Sequence, residues 1–207
     1  MAWLARLFGG APAVPLRAAR WVVIDCETSG LDPARDRLLS VGAVAVRGAR
    51  VVLGEAFSAV LRQDAPHAAA DVLVHGIGAD AQRGGRPVAE AMSEFSAFLG
   101  DGLPVAFHAP FDAAVLRRAI AGFDPRWLDL AQLAPALHPD RARERRSLDD
   151  WLKAFEIPSP SRHDALADAY ATAQLLLVLL ADAERQGIGT VEGLRRLEGS
   201  GRWTGAA

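Results

Sequence analysis

The clearest apolar run lies near the start of the chain, at residues 21–24, where Trp-Val-Val-Ile predicts a buried β-strand. A Ser-Gly turn signal follows at residues 29–30. Because side chains of a strand alternate between its two faces, Asp25 and Glu27 point to one face, about 6–7 Å apart, and Cys26 points to the other. The strand therefore ends in two carboxylates that share one side of the sheet.

The apolar pattern continues as an antiparallel hairpin, with strands predicted at 38–46 and 51–61 and a turn at 47–50. Residues 62–86, which contain one proline and several glycines, are predicted to be irregular. Beyond them, helical and extended patterns alternate. We predict, in order, a helix at 87–99, a strand at 104–107, a helix at 111–121, a strand at 127–130, helices at 147–155 and 164–186, a short helix from 192, and a loose tail at 199–207.

This order of elements predicts an α/β fold. Three consecutive strands form an antiparallel unit, and the later strands, separated by helices, pair in parallel with the first strand. The result is a mixed five-stranded sheet flanked by helices on both faces. In such a sheet the carboxyl ends of the parallel strands are the place where a site opens, which is where the two carboxylates lie.

Length and composition restrict the possibilities. The 207 residues suffice for one domain with its own core, and we divide them into an extension at 1–19, a domain at 20–186 and a tail at 187–207. A net charge of −2 gives no overall attraction for a polyanion, so a nucleic-acid partner would need a local basic patch or metal ions. The single cysteine excludes an internal disulfide and indicates a cytoplasmic location. The longest apolar run, at 175–181, is too short for a membrane span, so no membrane partner is expected.

The pair Asp25 and Glu27 is a candidate metal site. Two carboxylates at the end of an apolar strand repel each other and resist burial, and a divalent cation between them would offset that repulsion. Oxygen ligands are those that hard cations prefer. A solvent-facing acidic pair at a strand end is the alternative, and the two residues alone do not decide between them.

Three residues further along the chain extend the candidate site. Asp112 follows the strand at 104–107, where it either joins the first two acids or serves as an ordinary acid at a helix start. Asp168 lies one turn inside a helix that is apolar on nearly every side, where a carboxylate without a partner would be costly. His163 lies in the loop before that helix and has the pKa range of a general base, although a lone loop histidine is commonly only solvated.

Taken together, these motifs resemble a known family. Asp25-x-Glu27-Thr28, then Phe111-Asp112, then His163-x4-Asp168 are similar to the three motifs of the DEDDh 3′–5′ exonucleases, the DnaQ-like group with an RNase H-like fold. That group includes the proofreading ε subunit of bacterial DNA polymerase III and stand-alone nucleases. The resemblance runs from about residue 20 to 183 and includes a His-Gly-Ile loop at 75–77.

The resemblance implies a two-metal phosphodiester hydrolysis. Asp25, Glu27 and Asp168 would bind one Mg²⁺ or Mn²⁺, Asp25 would bridge to a second ion, and Asp112 would support it through water. His163 would accept the proton of the attacking water. The substrate-binding residues implied by the family are Thr28, Leu31, His75 and Phe111, with Leu31 wedged beside the terminal base. For His75, a loop residue bonded to backbone is the equal alternative.

The chain also departs from the family pattern. His108 stands where many relatives have asparagine, which puts fine positioning of the site in question, and Ala70 stands where some carry glutamate. The basic loop at 141–146 could contact the phosphates of a nucleic acid, but we favour its interpretation as a solvated surface.

The expected partner is the 3′ end of a nucleic acid, and single-stranded DNA is the kind that we expect before others. Two alternatives remain: an RNA-trimming or oligoribonuclease-type enzyme, because nothing in the sequence reads a 2′-hydroxyl, and a non-catalytic interaction module of the same fold. The stretch after the long helix carries no obvious clamp-binding motif. We therefore expect a stand-alone enzyme or one loosely associated with a DNA polymerase.

Overall fold

The computed structural model describes residues 13–64, 76–144, 147–158 and 164–201. Over these residues it contains five strands and seven α-helices. The strands are β1 Trp21–Thr28, β2 Leu38–Arg47, β3 Arg50–Val60, β4 Leu103–Ala106 and β5 Leu128–Asp129. The helices are α1 Ala79–Gly84, α2 Val88–Leu99, α3 Ala109–Ala119, α4 Leu130–Leu137, α5 Leu148–Ala154, α6 Ala165–Arg185 and α7 Val191–Gly201.

The strands form one mixed sheet in the order β3-β2-β1-β4-β5. Strands β1 and β2 pair antiparallel, as do β2 and β3. Strand β4 pairs in parallel with β1, and β5 in parallel with β4. The predicted mixed five-stranded sheet is therefore confirmed, and β1 lies at its centre.

Each face of the sheet carries its own hydrophobic cluster. The odd-numbered residues of β1, Trp21 and Val23, pack with helices α4 to α7. The even-numbered ones, Val22, Ile24 and Cys26, pack with α2 and α3 on the opposite face. Because side chains alternate between the two faces along β1, Asp25 and Glu27 lie on the side of α6.

Helix α6 lies directly on the sheet at Gly42 of β2, which pairs with Asp25. A Cβ on Gly42 would stand 2.2 Å from the backbone carbon of Ala165 and the backbone nitrogen of Leu166. Only glycine allows this approach, which brings the first turn of α6 against the carboxyl end of β1. By length and composition α6 could cross a membrane, but most of it is buried in this fold.

Several predicted elements differ from the structure. The stretch 62–86 is not wholly irregular, because it contains α1, whose Gln82 is buried and donates to the Ile77 carbonyl. Helix α4 was not predicted, and it begins at Leu130, so the predicted strand at 127–130 is shorter. Helix α7 runs to Gly201, so residues 199–201 are helical where a loose tail was expected. Residues 202–207 lie outside the described part.

The N-terminal residues that the structure describes pack against the last two helices. The amide of Leu16 donates to the Gly189 carbonyl at 3.0 Å, and the amide of Val191 donates to the Val14 carbonyl at 2.9 Å. The Trp21 indole donates to the Leu16 carbonyl at 3.1 Å. Contacts thus join the predicted extension both to the domain and to the tail, and the division at residues 20 and 186 stays a prediction.

Helix α5 begins with a complete N-terminal cap. Ser147 Oγ accepts a hydrogen bond from the Asp150 amide at 3.2 Å, and the Asp150 carboxylate accepts one from the Ser147 amide at 3.0 Å. These two bonds form a capping box, which satisfies two amides at the helix start that would otherwise lack partners.

Replacing Ser147 by alanine is expected to lower the free energy of unfolding by about 1 kcal/mol, because the cap bond to the Asp150 amide is lost. Urea denaturation measures the change. Ser96→Ala is the control: Ser96 donates to the Met92 carbonyl within α2, where alanine is a good helix former, so little change is expected. A Ser147→Ala variant as stable as Ser96→Ala would contradict the prediction.

Candidate active site

Three carboxylates meet at the carboxyl end of β1. Asp25 and Glu27 reach out from the strand, and Asp168 faces them from the start of α6. One ligand atom from each can be chosen so that all three lie within 4.8 Å of one another. A divalent cation bound to oxygens at about 2.0–2.6 Å needs its ligands within about 5 Å of each other. We call these three residues the acidic cluster.

The sequence around Asp168 explains its position. The Asp164 carboxylate accepts a hydrogen bond from the Ala167 amide at 2.8 Å, which fixes the start of α6. Asp168 lies one turn further on, and only 5% of it is exposed. With the close approach at Gly42, this start places Asp168 over β1. The donors are all carboxylate oxygens, so the cluster suits Mg²⁺ or Mn²⁺ better than a soft metal.

Asp112 takes a different place from the other three acids. It is buried in the first turn of α3, on the face of β1 that carries Cys26. Its carboxylate accepts hydrogen bonds from the Cys26 thiol and from the amides of Cys26 and Asp112, but burial dominates and raises the pKa of Asp112 to about 7. Burial and the neighbouring carboxylates also raise the pKa of Cys26. Within the described chain Asp112 is not part of the acidic cluster, and its role as a metal ligand stays a prediction.

A chain of hydrogen bonds that sequence reasoning missed supports the start of α3. His108, which precedes the helix, has φ +64° and ψ +46°. Its amide donates to Asp129 Oδ1 at 3.0 Å, and the same oxygen accepts from the Ala131 amide at 3.0 Å. The amide of Asp129 donates to Glu198 Oε1 at 3.0 Å. Asp129 could have been detected as a helix cap, because it lies between a strand and a helix. Glu198 lies 69 residues from Asp129 in the sequence, and no local pattern indicates that the two are in contact.

The conformation of His108 bears on the departure from the family pattern. Left-handed backbone is uncommon outside glycine, and asparagine, aspartate and histidine adopt it more readily than other residues. Histidine can therefore take the backbone role of asparagine at this position. Its ring packs edge-on against Phe107, with ring centroids 4.8 Å apart.

The proposed substrate-binding residues are described only in part. Thr28 Oγ1 donates to the Gly30 carbonyl at 2.6 Å, so it shapes the turn that follows β1. The side chain of Leu31 is 91% exposed next to that turn, as a contact for an incoming molecule requires. Phe111 is half-buried, one residue before Asp112. His75 and His163 lie outside the described residues, so their predicted roles stay predictions.

Sequence comparison finds a family and close relatives. The exonuclease family (RNase_T) matches residues 22–176. A DNA polymerase III subunit epsilon-like protein of Rhodobacter capsulatus is 35% identical over 192 residues, which cover 88% of this chain and 27% of that protein. DNA polymerase III PolC-type of Bacillus subtilis is 30% identical over 179 residues, 84% of this chain and 12% of that protein. The chain therefore spans about a quarter or less of the length of these relatives.

Solved structures share the fold. The zinc-bound complex of E. coli exonuclease I with single-stranded DNA has a TM-score of 0.68 at 22% identity, covering 81% of this chain and 42% of that one. E. coli exonuclease I in complex with a dA16 oligonucleotide has a TM-score of 0.67 with the same identity and coverage. At this level of identity, the likeness shows that the sheet and its helices are arranged as in exonuclease I.

Proposed function

The chain belongs to the exonuclease family, and we propose that it is a metal-dependent 3′–5′ exonuclease that releases nucleoside monophosphates from the 3′ end of DNA. The observation that carries this proposal is the acidic cluster, whose three carboxylates lie within 4.8 Å of one another at the carboxyl end of β1. The position of the cluster at the carboxyl end of the central strand, where sites open in such sheets, supports the proposal.

The donor set supports binding of Mg²⁺ or Mn²⁺. Asp25, Glu27 and Asp168 would hold one ion, and Asp25 and Asp112 would help to hold a second. With divalent ions bound, these carboxylates would make Lewis-acid chemistry available for hydrolysing the phosphodiester and for stabilising the charge on the leaving 3′ oxygen. The buried position of Asp168 would limit access of bulk water to the ligand set.

The remaining roles belong to residues around the cluster. His163 would accept the proton from the attacking water as a general base. Leu31 and Thr28 would lie under the terminal nucleotide, and Phe111 and His75 would contact it.

Single-stranded DNA is the substrate we propose first. The solved complexes of E. coli exonuclease I contain single-stranded DNA and a dA16 oligonucleotide. The curated relatives are DNA polymerase III proteins, which supports a loose association with a polymerase as the alternative to a stand-alone role. A cytoplasmic location remains part of the proposal.

The proposal predicts that the purified protein shortens a single-stranded DNA with Mg²⁺ or Mn²⁺. A 5′-labelled oligonucleotide should give a ladder that shortens one nucleotide at a time from the 3′ end. Chelation by EDTA should abolish the activity, and added Mn²⁺ should restore it, because the acidic cluster provides carboxylate ligands. A 3′-phosphorylated oligonucleotide, whose end is blocked, is the control.

A matched RNA oligomer separates the two substrate classes. Faster cleavage of RNA would replace the DNA assignment by the oligoribonuclease-type alternative. Absence of cleavage of either oligomer, together with absence of Mn²⁺ binding by calorimetry, would contradict the enzyme and leave an interaction module of the same fold.

A further inference from the structure

Hydrogen bonds within the β1–β2 loop, residues 29–37, fix its shape. The Asp36 carboxylate accepts from the Ser29 hydroxyl at 3.1 Å and from the Asp32 amide at 2.7 Å. Ser29 Oγ accepts in turn from the Arg37 amide at 2.9 Å. A Cβ on Gly30 would stand 2.5 Å from the Asp36 carboxylate, so the loop closes tightly on itself. The loop directly follows the strand that carries the acidic cluster.

A cavity of about 240 Å³ lies beside this loop, lined by Asp36 and Arg37 of the loop and by Arg118 of α3. Its other lining residues come from the start of β2, from the residues just after β3, and from helices α2 and α3. Arg118 connects α3 to the loop by two hydrogen bonds. Its Nη1 donates to the carbonyl oxygens of Pro33 and Asp36, both at 2.8 Å.

The loop presents Leu31 to solvent. This side chain is 91% exposed and apolar, and its position depends on the conformation of the loop around it. Arg118 lies on the same helix as Asp112, six residues later. Helix α3 therefore begins beside the carboxyl end of β1 and, two turns on, holds the loop that follows this strand.

We propose that Arg118 is a positioning residue that holds the β1–β2 loop so that Leu31 is already in place for the terminal nucleotide. This inference rests on the proposed function, in which Leu31 contacts that nucleotide. Arg118 acts through the loop. A contact group that is ordered before binding loses less conformational entropy when the substrate binds. Replacing Arg118 is therefore expected to raise KM more than it lowers kcat.

Arg118→Ala is expected to raise KM for a single-stranded DNA about five- to tenfold and to change kcat by less than about twofold, in the presence of Mn²⁺. Arg118→Lys should recover part of the loss, because one ammonium group can still bond one of the two carbonyls. Arg117→Ala is the matched control. Arg117 pairs with Asp124 on the surface and should leave both constants unchanged.

A double-mutant cycle tests whether Arg118 acts through Leu31. Leu31→Ala alone is expected to raise KM, and adding Arg118→Ala to it should raise KM little further. Hydrogen exchange supplies a readout independent of cleavage: the amides of Asp36 and Arg37 should exchange faster in Arg118→Ala than in Arg117→Ala. Mn²⁺ affinity by calorimetry should stay unchanged in both variants.

The outcomes separate this inference from the proposed function. If the wild type cleaves DNA and Arg118→Ala has the KM of Arg117→Ala, the inference is overturned and the proposed function stands. The inference is also overturned if the KM increase of the double variant equals the product of the two single-variant increases, because the two residues would then act independently. If the wild type cleaves no oligonucleotide, the proposed function fails and the inference fails with it.

Discussion

Asp168→Asn is expected to reduce nuclease activity by about a thousandfold or more, because it removes one carboxylate from the three that would hold the metal ion. A loss of about 4 kcal/mol of transition-state stabilisation corresponds to that factor, and metal ions contribute several kcal/mol to phosphoryl chemistry. The thermal stabilisation that Mn²⁺ gives the wild type should disappear in the variant. Initial rates on a labelled oligonucleotide and melting curves with and without Mn²⁺ measure both effects.

The same substitution should not destabilise the metal-free protein. Three carboxylates within 4.8 Å repel one another, and neutralising one of them relieves that repulsion. The control is Asp164→Asn in the same helix, where asparagine can still accept from the Ala167 amide. That variant should keep its rate within about twofold. Activity and an Mn²⁺ response at wild-type level in Asp168→Asn would contradict the ligand assignment.

Gly42→Ala is expected to cost about 3 kcal/mol of unfolding free energy, because the new Cβ would stand 2.2 Å from the backbone at Ala165 and Leu166. Carbon atoms in contact lie about 3.5–4.0 Å apart, so the first turn of α6 must move by more than 1 Å. Asp168 moves with that turn, away from the rest of the acidic cluster. Displacements of about 1 Å at a catalytic site cost about a hundredfold in rate.

Chemical denaturation and Mn²⁺ titration of the folded variant measure the two consequences of Gly42→Ala separately. Gly54→Ala is the matched control on the neighbouring strand, since a Cβ at Gly54 meets nothing within 4 Å. It should be neutral or slightly stabilising, because alanine restricts the unfolded chain. Wild-type stability and Mn²⁺ affinity in Gly42→Ala would show that α6 does not depend on this close approach.

The elements with strong local signals could be predicted from the sequence. The central strand is marked by four consecutive apolar residues, the hairpin by its turn, and α6 by length and by its cap at Asp164. Alternation along β1 also gave the common face of Asp25 and Glu27, and the apolar character of α6 indicated that Asp168 needs a partner. These are short-range patterns, so the sequence alone suffices for them.

Helix α4 was missed because its local signals conflict. Pro135 lies inside it, and proline ordinarily ends a helix. The burial of Leu130, Leu133 and Leu137 outweighs that cost, but burial is a property of the tertiary fold. Asp112 illustrates the same limit. Its place in the sequence puts it near β1, whereas its contact with Cys26 follows from how α3 is oriented on the sheet.

The hydrogen bond from Asp129 to Glu198 has a consequence for work with shorter fragments of the protein. The family match ends at residue 176, yet Glu198 on α7 supports Asp129, which in turn holds the backbone from which α3 starts. A fragment trimmed to the matched residues would also lose Leu16, which is a buried member of the hydrophobic cluster on the α6 side of the sheet. A shorter fragment made for expression should therefore begin before Leu16 and continue through α7.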